Sequence, residues 1–122
     1  MSVTPRLVIQ QIKDVTVVSF NDPSILDAAH IEQIGDELYH LIDDLDRRKL
    51  VLDFDQVQFL SSQTLGVLVM LRRKADKAKS KVVIAGLKPE LYKIFKITRL
   101  ESLFTFFPDE EQALNSFGVY TT

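Results

Sequence analysis

The chain contains no cysteine and no tryptophan. The first absence excludes disulfide scaffolds, zinc sites built on cysteine, and thiol catalysis. Glycine and proline number four each in 122 residues, too few for a disordered chain rich in either. No charge dominates: 15 Lys and Arg stand against 17 Asp and Glu, a formal net charge of −2. Non-specific nucleic-acid binding, which runs on a surplus of cations, is therefore not expected. The longest apolar run, Leu65 to Leu71 with Gly66 inside it, is seven residues, whereas a membrane span needs about 20. The opening MSVTPRLVIQ lacks a basic segment followed by an apolar core, so no secretory signal is read. A cytoplasmic protein without membrane insertion is the expectation.

What the sequence does hold is 46% hydrophobic and 26% charged residues, the proportions of one globular domain. We expect that domain to occupy residues 1–122, with a core from about 5 to 117. A chain of this length buries roughly two-thirds of its unfolded surface and needs no metal or disulfide staple. Strand and helix periods alternate along it. Leu7 to Ile12 and Val15 to Phe20 are β-branched-rich runs around Lys13-Asp14, a hairpin pattern. Asn21-Asp22-Pro23-Ser24 reads as a loop. After an N-cap at Asp27, apolar residues at Ile31, Ile34, Leu38, Leu41, Ile42 and Leu45 describe one face of a helix ending near Asp46.

Leu50 to Phe54 is a nearly continuous apolar run, as in a buried central strand. Ser61 to Lys79 reads as the second long helix and Lys81 to Ala85 as another buried strand closed by Gly86. Pro89 opens a short helix, Phe104 to Phe107 is a last strand, and Asp109 to Phe117 a terminal helix with an acidic first turn. The order ββαβαβαβα predicts the α/β class: a mixed, largely parallel β-sheet with helices packed against it.

Charge is unevenly placed. Asp27 through Asp46 holds seven acidic residues and no Lys or Arg, while Arg72 through Lys81 holds six basic residues against Asp76. Two solvated helix faces that complement one another explain this, as does a docking surface that selects a protein partner.

Candidate chemistry is sparse. Ser62, Asp53 and His30 or His40 formally make a Ser-His-Asp set, but both histidines fall among the polar positions of the first helix. Asp53 and Asp55 flank Phe54 near a strand end, where paired carboxylates hold a divalent cation in receiver-like domains. Nothing else completes such a site, and a loop-capping role fits the same residues. No Gly-rich phosphate loop and no metalloprotease motif is present. Catalysis is not expected, and no cofactor is implied.

The segment from Asp53 to Gly66 carries more. A buried strand leads through a loop into Ser61-Ser62, which open a helix. Helix-start amides carry partial positive charge, so a phosphate on Ser61 or Ser62 would be favourably held. A plain serine N-cap accounts for the same residues. At roughly 100° per residue, Thr64, Leu68, Leu71, Ala75 and Ala78 share the core face. Gly66, Met70 and Arg73 point away with Val69 beside them, a candidate binding patch.

Phe59-Leu60-Ser61-Ser62-Gln63-Thr64-Leu65-Gly66 resembles the loop F-[ML]-D-S-[ST]-G-L-G of the STAS domain, in particular of stand-alone bacterial anti-sigma-factor antagonists. Gly86 to Phe95 looks like that family's strand-end and short helix, and Asp109-Glu110-Glu111-Gln112-Ala113-Leu114 like its terminal "D-E-x-x-A-L" helix. The resemblance covers nearly the whole chain. Ser61 stands where the family usually has Asp, and Thr64 where it usually has Gly. The resemblance implies a non-enzymatic partner switch that binds an anti-sigma factor doubling as a serine protein kinase. Phosphorylation at Ser62, or alternatively Ser61, would break the complex, and a phosphatase would restore it. The implied contact residues are Ser61, Ser62, Gln63, Gly66, Val69, Met70 and Arg73. A STAS adaptor of a lipid-transport ATPase or of a stressosome-like sensory assembly is the alternative with the same fold.

Overall fold

Residues 7–25 and 27–120 are described by the computed structural model; the first two residues of the expected core and Leu26 lie outside that range. Leu7–Ile12 (β1) and Val15–Phe20 (β2) form the expected hairpin, closing at Ile12 opposite Val15. Lys13 in its turn is left-handed, with φ 56°. Lys49 Nζ donates to Asp14 Oδ2 at 2.6 Å and holds that carboxyl below its usual range.

The segment read as a loop contains a two-residue strand, Ser24–Ile25 (β3). The first helix, Ala28–Asp43 (α1), is capped by Asp27, whose Oδ1 accepts from the Ala29 amide at 2.8 Å. Ile31, Ile34, Leu38, Leu41 and Ile42 are buried along it as the spacing requires. Leu45 is not. The helix ends at Asp43, short of the apolar pattern, so Leu45 lies beyond the Asp44 cap and is exposed.

Lys49–Asp53 (β4) follows, then a second two-residue strand, Phe59–Leu60 (β5), which pairs in parallel with β3. Neither short strand carries a period that a sequence could show. Ser62–Lys77 (α2), Lys81–Ala85 (β6), Pro89–Ile97 (α3), a 3-10 turn at Glu101–Leu103, Thr105–Phe107 (β7) and Glu110–Ser116 (α4) complete the order.

The main sheet runs β1-β2-β4-β6-β7, with β1 antiparallel and the other pairings parallel. Alternate side chains feed two layers, because successive strand residues point to opposite faces. Val18, Phe20, Leu50, Leu52 and Ile84 pack with α1, α2 and α3. Val15, Val17, Val51, Val83 and Ala85 pack with Ala113 and Leu114 of α4. Three helices therefore cover one face and one covers the other. Coverage on both sides is why β2, β4 and β6 read as continuous apolar runs.

Helices α1 and α2 lie side by side. A Cβ on Gly35 would meet the Val67 side chain at 3.4 Å, and Lys74 Nζ donates to Asp43 Oδ2 at 2.8 Å. The inward face of α2 is Thr64, Leu65, Leu68, Leu71 and Ala75; Ala78, expected there too, is half-buried against the same core. Leu68 is 1% exposed and Met70 42%. Leu68→Ala should therefore lower unfolding free energy by about 2–5 kcal/mol, whereas Met70→Glu should stay within about 0.5 kcal/mol. Urea unfolding of both variants checks this, and equal losses would show the helix faces to be misassigned.

Candidate functional site

The start of α2 is fixed by two hydroxyl-bearing residues, Ser61 and Thr64. Ser61 is the N-cap: its Oγ accepts from the Thr64 amide at 3.3 Å and lies 3.4 Å from Thr64 Oγ1. Thr64 is buried, and its Oγ1 donates to the Ile25 carbonyl of β3 at 3.2 Å. The Ser61 amide donates to the same carbonyl at 3.2 Å. Pro23 accepts from the Gln58 and Phe59 amides at 2.8 and 3.0 Å. The segment leading into α2 is thus bonded to the β3 segment at successive points.

Ser62 is the first helical residue. It is exposed, and its hydroxyl makes no hydrogen bond among the described residues. Ser62 and Gln63 also have no carbonyl one turn earlier for their amides, so both dipoles face outward with the positive helix end.

From Ser62 a groove of about 340 Å³ runs along the helix. Gly66, Val69, Met70 and Arg73 form one wall, and Thr98 and Leu100, past the end of α3, form the other. Of the expected contact residues, Ser62, Gln63, Gly66, Met70 and Arg73 are exposed, and Val69 and Ser61 half-buried. Thr98 and Leu100 were not anticipated. They reach the groove only through tertiary folding, about 30 residues further along the chain, and no local pattern marks them.

The groups considered for catalysis are not brought together as a triad. His30 Nδ1 faces Asp27 at 3.6 Å and His40 Nδ1 faces Asp44 at 2.6 Å, each an acid at the end of its own helix. Asp53 caps the loop after β4, its Oδ1 accepting from the Asp55 amide at 3.0 Å. Gly86 crosses against this loop with φ +69°, and a Cβ there would lie 3.3 Å from Asp53 Oδ1. Lys88 Nζ donates to the Asp55 carbonyl at 2.7 Å. Among the described residues no group of three or more His, Asp or Glu is placed to hold a metal ion. Glu110 lies against Asp53, and burial, followed by its hydrogen bond to and repulsion from Asp53, pushes its carboxyl above the usual range.

A positioned helix start thus has a groove of about 340 Å³ beside it. The STAS domain family matches residues 6–113. The chain belongs to the STAS family. BtrV of Bordetella bronchiseptica, which carries the name of an anti-sigma factor antagonist, is 28% identical over 93 residues, covering 76% of this chain and 79% of that protein. An anti-sigma-factor antagonist STAS domain protein from Planctomyces limnophilus superposes with a TM-score of 0.80 at 17% identity, covering 93% of this chain and 98% of that one. The phosphorylated form of the Bacillus cell fate determinant SpoIIAA gives 0.72 at 16% identity, covering 91% and 98%. These STAS structures share the fold: one α/β domain with a mixed, mostly parallel sheet. No helix among the described residues is long and apolar enough to cross a membrane.

Two outcomes follow from this STAS site. A Cβ on Gly66 would meet nothing within 4 Å, so Gly66→Ala should stabilise the domain by about 0.5–1 kcal/mol through helix propensity. A loss of stability in urea titration would show that the position is sterically closed. Glu110, with its carboxyl raised in the folded state, makes the folded form bind more protons than the unfolded form near and above the ordinary glutamate range. Its contribution to stability is therefore present below that range and is lost as pH rises through the raised value. Glu110→Gln should abolish this loss and raise Tm at pH 7 but not at pH 3.5. A rise of equal size at both values would contradict the assignment.

Proposed function

We propose that this STAS protein is an anti-sigma-factor antagonist that binds an anti-sigma factor with serine kinase activity through the start and outer face of α2. Phosphorylation of Ser62 ends the complex, and a phosphatase restores the binding form. The observation that carries the reading is the contrast between neighbouring serines. Ser61 spends its hydroxyl on the helix cap, while Ser62, one residue on, presents at the mouth of the groove a hydroxyl with no hydrogen bond among the described residues. A kinase can approach the second without undoing the cap. The relatives named for anti-sigma factor antagonism support the class of partner.

The physics of the switch is asymmetric. A phosphate adds nearly two negative charges, which outward amides at the helix start stabilise in the free protein. In a complex the same charge must be desolvated against the partner, and the cost falls on binding rather than on folding. The protein then acts by occupancy, with no bond made or broken by its own residues.

Incubation with the cognate kinase and ATP, followed by peptide mass spectrometry, should find one phosphate, on Ser62. It should be absent in Ser62→Ala and kept in Ser61→Ala. Ser62→Asp should lower partner affinity at least tenfold by calorimetry while Tm holds or rises slightly, since a negative charge at a helix start stabilises by about 0.3–1 kcal/mol. Affinity unchanged in Ser62→Asp contradicts the switch. Phosphate on Ser61 alone moves the acceptor. Neither modification by the kinase nor sensitivity to the charge would leave a constitutive STAS adaptor.

A further inference from the structure

The five-stranded sheet ends on two edges that differ. At one, β7 is three residues long and is followed at once by Pro108 and Asp109. Short length, proline and charge are the devices that keep a sheet edge from pairing. At the other, β1 is six residues, Leu-Val-Ile-Gln-Gln-Ile, with no charge and no proline. Among the described strands β1 pairs with β2 alone. Val8 and Ile9 point to opposite faces of the sheet, yet they are 44% and 46% exposed. Neither helix layer reaches over the middle of this strand.

The backbone of β1 is as open as its side chains. The turn Lys13-Asp14 closes on the pair Ile12 with Val15, and a two-residue hairpin turn closes on a hydrogen-bonded pair. Hydrogen-bonded and non-hydrogen-bonded pairs alternate along an antiparallel ladder. Val8, Gln10 and Ile12 therefore bond to β2, while the amides and carbonyls of Leu7, Ile9 and Gln11 are directed outward. A second strand is what supplies donors and acceptors at that spacing.

We infer that β1 pairs with β1 of a second copy of this chain, antiparallel about a two-fold axis at Ile9, joining two sheets into one. In that register Ile9 lies opposite Ile9 of the second copy and Leu7 opposite its Gln11, so the outward groups of Leu7, Ile9 and Gln11 all find partners. Three features select a copy over a foreign strand. A short, uncharged segment of high β-propensity and without proline pairs well with itself. The two-fold makes the contact self-complementary and closed, and the guarded β7 edge offers no β1-to-β7 route to open chains. A foreign strand is read through side-chain pockets that flank the edge, whereas the described grooves lie along α1, α2 and α3 with no β1 residue in their walls. The groove beside Ser62 is one of these, so the pairing does not use the α2 start. The inference holds whether or not Ser62 is the switch.

Sedimentation equilibrium of the whole chain, from micromolar to millimolar concentration, should show a monomer passing into a dimer and no larger species. Ile9→Lys sets two lysines opposite one another, and like charges so placed oppose pairing. Its dissociation constant should rise about tenfold or more, with little change in Tm because the site is exposed. The chain has no cysteine, so single cysteines report the register. Opposed hydrogen-bonded residues have Cα atoms about 5.5 Å apart, within disulfide reach. Ile9→Cys should cross-link to its own copy under mild oxidation, and Val8→Cys, which faces Gln10 of the second copy, should not. Association undiminished in Ile9→Lys, growth beyond a dimer, or equal cross-linking at positions 8 and 9 would each overturn the proposal. So would a monomer at every concentration, which would leave the edge to a strand of another protein.

Discussion

The hydrogen bond from the buried Thr64 hydroxyl to the Ile25 carbonyl is the contact on which the site depends. It ties the first turn of α2 to β3, and β3 in turn pairs with β5 just before the helix begins. With the Ser61 Oγ accepting from the Thr64 amide, the helix start has its position set by its own cap and by a strand distant in sequence. The Thr64 hydroxyl provides a bond that a glycine at this position would lack. Because the cap is made by Ser61, the neighbouring Ser62 can carry a charge without being needed for the fold.

The rest of the architecture keeps the outer face of α2 open. Its inward residues meet the sheet, and the small Gly35 lets α1 approach the Val67 side. Lys74 crosses to Asp43 and lies over the Tyr39 ring, so part of the opposite charge on the two helices is neutralised internally. Arg73, one residue away, faces the groove with no ion pair among the described residues. One pair, Lys74 with Asp43, joins the acidic and basic segments across α1 and α2. Surface pairs of this kind contribute little stability.

Much of this was legible in the residues. The apolar runs at Leu50–Phe54 and Lys81–Ala85 mark buried strands, the β-branched run at Val15–Phe20 marks one arm of a hairpin, and helical spacing gives both long helices and most of the inward face of α2. What the local pattern does not carry has separate physical causes. The strands Ser24–Ile25 and Phe59–Leu60 are too short to show a period, yet their pairing positions the site. Leu45 continued an apolar pattern past the point where the helix stops. Thr98 and Leu100 become wall residues only when the end of α3 folds against the α2 side, a tertiary event that no local window of sequence records.

The central claim is that the α2 start accepts charge on Ser62 without changing its own structure, so that the partner, not the fold, reads the modification. Amide hydrogen exchange on the Ser62-phosphorylated protein tests it most directly. The account predicts that the Thr64 and Leu65 amides keep the protection they have in the unmodified protein while partner affinity is lost. Loss of protection across that first turn on phosphorylation would contradict it, and would mean that the switch works by melting the helix start.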